Sequence, residues 1–353
     1  MALHQYLAEE VALDCVVGVL SRREAMRRLG LLGLSATAGA ALLAACGSDD
    51  DSADSTDAVD ATDSVATTLA VPTSAQTTEA PATASPTTGV AASTESTTST
   101  AGTESTSDPA TSTASSTAEP TTSAATASDG EIRFPGPRGE LIGVLATAVE
   151  PKGAVLIIHE NRGLTAHIRT LPARFAADGY TALAIDLLSE EGGTASLPSE
   201  GDATAALGNA PAERLIADLR AGLDELALRA PDAKLAAMGF CFGGGMTWQL
   251  LAAGEPRLAA AVPFYGPAPA DADFSGSPNA AVLGVYAELD ARVNASQETA
   301  RAALEAAGLT HEIKVFPGVD HAFFNDTGQR YNAEQAAAAY EATLAWFATH
   351  LAG

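Results

Sequence analysis

The sequence predicts an α/β domain with a mostly parallel sheet and helices on both faces, preceded by a signal segment and a long disordered linker. Three observations predict it. From Glu131 onward, short apolar runs alternate with helix-capable runs, the pattern of repeated strand–helix units. The short runs are near-continuously apolar, as strands buried on both faces must be. Between one such run (Leu235–Met238) and a helix-capable stretch (Met246–Ala253) stands Gly239-Phe240-Cys241-Phe242-Gly243. That is a glycine-flanked strand-to-helix turn with a cysteine at its apex.

Taken in order, residues 1–20 mix apolar and acidic side chains and can form a short amphipathic helix, to which the sequence attaches no function. A basic block follows, Ser21-Arg22-Arg23-Glu24-Ala25-Met26-Arg27-Arg28, and then an apolar run of 17 residues from Leu29 to Ala45. Basic block, apolar stretch and small residues make an export signal. Its opening resembles a twin-arginine signal. Its end, Leu43-Ala44-Ala45-Cys46-Gly47, resembles a bacterial lipobox, in which the cysteine is acylated and the preceding peptide is removed. Residues 1–46 are therefore expected to be an export signal. Lipidated Cys46 would tether the protein to the outer face of the cytoplasmic membrane, or hold it at the periplasm or cell surface. The alternative is an uncleaved signal anchor, for which 17 residues fall just short of a comfortable span.

Residues 47–129 are almost entirely Ser, Thr, Ala, Pro, Asp and Glu, with 13 acids and no Lys or Arg. With so few large apolar side chains, nothing offsets the entropy of ordering the backbone. The expectation is a disordered tether, roughly 50 Å end to end as a flexible coil. Its composition also permits an O-glycosylated stalk.

Residues 131–353 then form one domain, large enough for a sizeable core. Strands are expected at Leu141–Ala146, Ala154–His159, Thr181–Asp186, Lys234–Phe240, Leu258–Phe264, Ala280–Tyr286 and His311–Phe316. Helices are expected at Ala166–Asp178, with Pro172 marking the true start, and at Ala212–Arg229, Met246–Ala253, Ala295–Ala307 and Ala333–Leu351. Leu187–Gly208, dense in Gly, Ser, Thr and Asp, reads as a long surface loop.

The formal charge of −25 is spread over linker and domain; the domain carries 15 basic and 27 acidic residues. No basic patch or basic stripe interleaved with aromatics is present, which argues against nucleic-acid binding. No His/Cys/carboxylate cluster has the spacing of a metal site, so neither metal nor organic cofactor is expected. Of the cysteines, Cys15 precedes the proposed cleavage and Cys46 would carry lipid, leaving Cys241 as the free thiol of the mature protein.

Ligand sites in such sheets lie at the carboxyl ends of strands, and Cys241 sits at one. The glycines around it are needed because a Cβ there would collide with the neighbouring strand and helix. The helix that follows aims its N-terminus at the sulfur, favouring a developing oxyanion. A nucleophile there needs an orienting acid and a base later in the chain. Asp290 follows the Ala280–Tyr286 strand and His321 follows His311–Phe316, so both belong to the same sheet edge. Glu288 and Asp320 are the alternative acids. His159 and His167 precede the cysteine, and His311 opens a strand at the wrong end of the sheet.

Four stretches together resemble the dienelactone hydrolase family of the α/β-hydrolase fold. They are His159-Glu160-Asn161-Arg162-Gly163-Leu164, the Cys241 turn, the Asp290 loop, and His321-Ala322-Phe323-Phe324-Asn325-Asp326. The resemblance spans residues 131–353. It implies a Cys241–Asp290–His321 triad and a Glu160 that contacts the resting cysteine. It also implies an oxyanion hole from the backbone N–H groups of Asn161 and Phe242. The family's carboxylate-gripping arginines are absent from their places: Asn325 stands where one would fall, and Leu187–Gly208 has none. Arg162 and Arg330 are the available substitutes.

The function expected from these readings is a cysteine-dependent hydrolase of carboxylic esters or enol lactones, acting through an acyl-thioenzyme on a small-molecule substrate. Two other classes stay open, a non-catalytic binding module on the same fold and a redox-sensing thiol protein.

Overall fold

The computed structural model describes residues 3–44 and 130–352. Residues 45–129, and with them Cys46 and the expected tether, lie outside the described residues. The chain opens with three helices, α1 (Leu3–Val16), α2 (Arg22–Leu31) and α3 (Ala36–Leu42). Ser21 caps α2 and Ser35 caps α3, each accepting from the backbone N–H three residues on. The apolar Leu29–Ala45 run is thereby split between two short helices. Among the described residues no helix is long and apolar enough to cross a membrane.

The domain proper starts with a hairpin that the sequence reading only half found, β1 (Gly130–Gly136) paired antiparallel with β2 (Gly139–Ala146). β1 alternates buried Ile132 and Phe134 with exposed neighbours, an edge strand with one solvated face. Then come β3 (Ala154–Ile158), α4 (Ala166–Ala177) and β4 (Thr181–Asp186). α4 begins at Ala166, not at Pro172. The proline lies inside the helix, its apolar ring buried, and the helix tolerates the one N–H it removes.

The expected loop over Leu187–Gly208 is two short 3-10 turns followed by a helix, α5 (Glu200–Asn209). Its signal is local: the Ser199 hydroxyl accepts from Asp202 N–H, capping an alanine-rich turn. The remaining elements are α6 (Ala212–Arg229), β5 (Leu235–Phe240), α7 (Phe242–Ala252), β6 (Leu258–Phe264), β7 (Ala281–Ala287), α8 (Ala291–Asn294), α9 (Gln297–Ala306), β8 (His311–Phe316) and α10 (Ala333–His350).

The eight strands form one sheet in the order β1-β2-β4-β3-β5-β6-β7-β8. β2 is antiparallel to both neighbours, and every pair from β4 to β8 is parallel. β3, β4, β5 and β7 are buried along their whole length, which is why they read as unbroken apolar runs. This is the α/β-hydrolase fold. α1–α3 do not stand apart from it: Tyr6, Leu7, Val11, Leu29 and Leu32 join the same hydrophobic cluster as the sheet.

One buried ion pair supports α6. Arg214 reaches Glu191 at 2.6 Å and lies 3.6 Å from Asp218. Burial pushes the Asp218 carboxyl up to about 6, with Arg214 opposing the rise and Glu190 adding to it. A carboxyl whose folded value is raised contributes stability that is present below its unfolded value, about 3.9, and lost as pH rises through the folded one. Between pH 4 and 6 this residue therefore makes the protein less stable as pH rises. Asp218→Asn should flatten that part of the curve of unfolding free energy against pH, as read by urea titration.

Candidate active site

The parallel strands point their carboxyl ends at one side of the sheet, and the sequence-predicted residues follow those ends. Glu160, Asn161 and Arg162 follow β3, Cys241 follows β5, Asp290 follows β7 and His321 lies beyond β8. Glu160, Asn161, Arg162, Cys241 and His321 line one cavity of about 260 Å³.

Cys241 has φ 56° and ψ −117°, a backbone region that L-residues rarely occupy, at a cost of order 1–3 kcal/mol. The turn survives because its neighbours are glycines. A Cβ on Gly239 would run into the Gly243 carbonyl, and one on Gly243 would run into the Ile158 carbonyl of β3. α7 starts at Phe242, one turn earlier than the sequence reading placed it, so the cysteine is its N-cap residue. Cys241 N–H donates to Phe264 O at 3.1 Å, tying the turn to β6. The thiol is free and buried.

Asp290 and His321 meet. Nδ1 of His321 lies 2.6 Å from Asp290 Oδ2, and Val293 N–H donates to Asp290 Oδ1 at 3.1 Å. With Asp290 holding Nδ1, Nε2 is left facing the cavity. Tyr265 packs its ring 5.1 Å from the imidazole. Burial lowers the His321 pKa, but the charges of Glu10, Cys241 and Asp290 outweigh it and hold the imidazole well above its usual value. Burial raises the Asp290 pKa, and the attraction and hydrogen bond of His321 more than reverse that, leaving it low.

The alternative acids have other partners. Glu288 is exposed and accepts from Gly318 N–H at 2.7 Å. Asp320 accepts from the His321 backbone at 2.7 Å, shaping the turn. The other histidines are structural: His159 is held between Glu160 O at 2.7 Å and Leu187 N–H at 3.1 Å. His167 pairs with Asp326 at 2.7 Å.

Glu160 lines the cavity, but its hydrogen bond comes from Asn325 Nδ2 at 2.6 Å. Its Oε1 is buried with no hydrogen-bond partner among the described residues. Burial raises its pKa against the lowering influence of His167 and the Asn325 hydrogen bond. Asn325, which the sequence reading noted only as a missing arginine, is thus what holds Glu160. The resemblance implies that Glu160 contacts the resting cysteine; here the hydroxyl of Tyr6 lies 3.3 Å from Cys241 Sγ.

Tyr6 belongs to α1, the segment given no function from sequence. So do Glu10, whose Oε1 lies 3.4 Å from His321 Nε2, and Asp14, which pairs with Arg330 at 2.8 Å and Arg162 at 3.4 Å. Arg292 pairs with Glu10 and lays its guanidinium 4.4 Å from the Tyr6 ring centre. The spacing 6, 10, 14 puts these three side chains on one helical face, a signal that the sequence does contain. Donor atoms of Glu10, Cys241 and His321 lie within 4.8 Å of one another, a set that could hold a metal ion. Chain spacing conceals it, because Glu10 is more than 200 residues from Cys241 and His321.

The cysteine turn, the Asp290–His321 pair and the antiparallel β2 on an otherwise parallel sheet define a recognisable lineage. The family model described as "Dienelactone hydrolase family" matches residues 141–351. The chain belongs to the dienelactone hydrolase family.

Other dienelactone hydrolase relatives agree with that assignment. A protein of Escherichia coli O157:H7 described as a candidate carboxymethylenebutenolidase is 35% identical over 211 residues, 56% of this chain and 77% of its own length. One so described from Saccharolobus solfataricus is 31% identical over 245 residues, 60% of this chain and 95% of its own. The crystal structure of a candidate dienelactone hydrolase from Klebsiella pneumoniae is 33% identical. It superimposes with a TM-score of 0.54 over 62% of this chain and 97% of that one. At the level of family this chain is a carboxymethylenebutenolidase-like hydrolase.

Proposed function

We propose that the protein is a cysteine-dependent hydrolase of carboxylic esters or enol lactones, with Cys241 as nucleophile, His321 as base and Asp290 as orienting acid. The observation that carries this reading is the 2.6 Å Asp290–His321 hydrogen bond beside a cysteine held at positive φ on the same cavity. With the imidazole neutral, Nε2 of His321 takes the Sγ proton, and the sulfur attacks the carbonyl carbon. The carbonyl electrons move onto oxygen, which the N–H groups of Phe242 and Asn161 receive at the end of the α7 dipole. Collapse expels the alcohol or enol oxygen, which recovers the proton from His321, and leaves an acyl-thioenzyme. Water, deprotonated by His321, then releases the acid and restores the thiol.

Thiolate is also a good leaving group. A tetrahedral intermediate therefore goes forward only when the departing oxygen is stabilised, as in an enol lactone or a phenyl ester. On the full chain, p-nitrophenyl acetate and a five-membered enol lactone should turn over, while the matching anilide should not. An anilide hydrolysed as fast as the ester would overturn the thiolate assignment.

Export and lipid attachment at Cys46 complete the proposal. They rest on the basic block, apolar run and lipobox-like Leu43–Cys46. The measurement is the mass of the mature N-terminus in a bacterial host, where an unmodified Cys46 within an intact chain would remove this part of the reading.

A further inference from the structure

We infer that α1 is an internal plug of the thiol site, holding Cys241 and His321 apart from substrate until the helix withdraws or is removed. The inference rests on the reading of Cys241 as nucleophile and goes beyond it. An acyl group must place its carbon close to Sγ, within reach of Nε2 and the oxyanion donors. Here α1 side chains stand against both reacting atoms, and Glu10 and Asp14 line the remaining cavity of about 260 Å³. The Tyr6 hydroxyl lies 3.3 Å from Sγ, and the Glu10 carboxylate lies 3.4 Å from Nε2. The sulfur and the imidazole each face a side chain of α1. Cys241 is only 3% exposed and His321 not at all.

Charge and packing hold the plug in place. Glu10 and Asp14 are buried acids, which is tolerable only where cations meet them. Arg292 of α8, Arg330 from the loop after β8 and Arg162 from the loop after β3 supply those cations. Leu7 and Val11 are buried in the shared hydrophobic cluster, and α2 and α5 pack beside α1. Substrate gains access only to the extent that α1 is undocked, which lowers its apparent affinity by that fraction. Removal of the segment before Cys46, as proposed for export, would open the site once α1 has left it. Hydrolysis would then be confined to the processed protein.

The test uses the full chain. Tyr6→Ala with Glu10→Ala removes the two side chains over the site. Tyr6→Ala alone keeps every ion pair of α1 and guards against loss of fold, which near-UV circular dichroism monitors. Alkylation by iodoacetamide, mapped to the Cys241 peptide by mass spectrometry, reads thiol access independently of hydrolysis. Both variants should be alkylated about tenfold faster or more, with kcat/KM for p-nitrophenyl acetate rising in parallel. Unchanged alkylation in folded variants overturns the plug. So does faster alkylation with slower hydrolysis, which would make Tyr6 or Glu10 part of the chemistry. Faster alkylation with no hydrolysis in any form leaves the plug standing and removes the hydrolase reading instead.

Discussion

Cys241→Ala should abolish ester hydrolysis, lowering kcat by roughly 10⁴ or more, the scale seen when a nucleophile that acts with its base is removed. The fold should be untouched. The residue is already small, its backbone strain belongs to the turn and not to the sulfur, and the glycines that permit the turn remain. Among the described residues the thiol's hydrogen-bond partner is the Tyr6 hydroxyl, whose loss leaves Tyr6 anchored by Arg292 over its ring. The comparison should be made in the Tyr6→Ala background as well as in the unsubstituted chain, so that low access is not mistaken for low chemistry. Equal melting temperatures with collapsed kcat place the residue in the reaction. Hydrolysis that persists at the original rate would show that the observed turnover belongs to another group.

Gly243→Val should have the largest effect on stability of any single change at the site. Gly243 is in the first turn of α7, where the helix crosses the end of β3. A Cβ there meets the Ile158 and His159 carbonyls, both backbone atoms with no rotamer to escape into. Relief requires α7 to lift away from the sheet. That would loosen the buried packing of Phe242, Met246 and Trp248, together with the Trp248 hydrogen bond to Gly266 O at 3.1 Å. A destabilisation of about 3 kcal/mol or more is expected from such overpacking. For a domain of this size that is roughly 6–12 °C in Tm. Melting followed by circular dichroism measures it, and a shift below about 2 °C would mean that the turn is more plastic than its contacts imply.

The legible part of the molecule was the part written in short-range pattern. Unbroken apolar runs gave the parallel strands, because β3, β4, β5 and β7 are buried on both faces. Strand-end position then picked Asp290 and His321 from among the other acids and histidines, and the two meet at 2.6 Å. α5 was missed because glycine, serine and threonine weigh against helix, while its alanines pack on other elements and Ser199 caps its start.

α1 was missed for a different reason. Followed by a basic block and an apolar run, it reads as part of a leader, and nothing within residues 1–20 names a partner 235 positions away at Cys241. Only the recurrence of Tyr6, Glu10 and Asp14 on one helical face hinted at a buried polar surface. Asn325 shows the same limit. Its sequence position marked it as a lost arginine, and its place in the fold makes it the donor to Glu160.

The central claim is that the acyl group of the substrate passes through the sulfur of Cys241. Acid quenching of the Tyr6→Ala chain during turnover of p-nitrophenyl acetate, followed by peptide mass spectrometry, tests it most directly. The account predicts a 42 Da acetyl increment, set by acetyl chemistry, on the peptide containing Cys241. That increment should build before steady state and be absent in Cys241→Ala. Continued turnover with no acyl increment on that peptide, or with the increment on another residue, would contradict it.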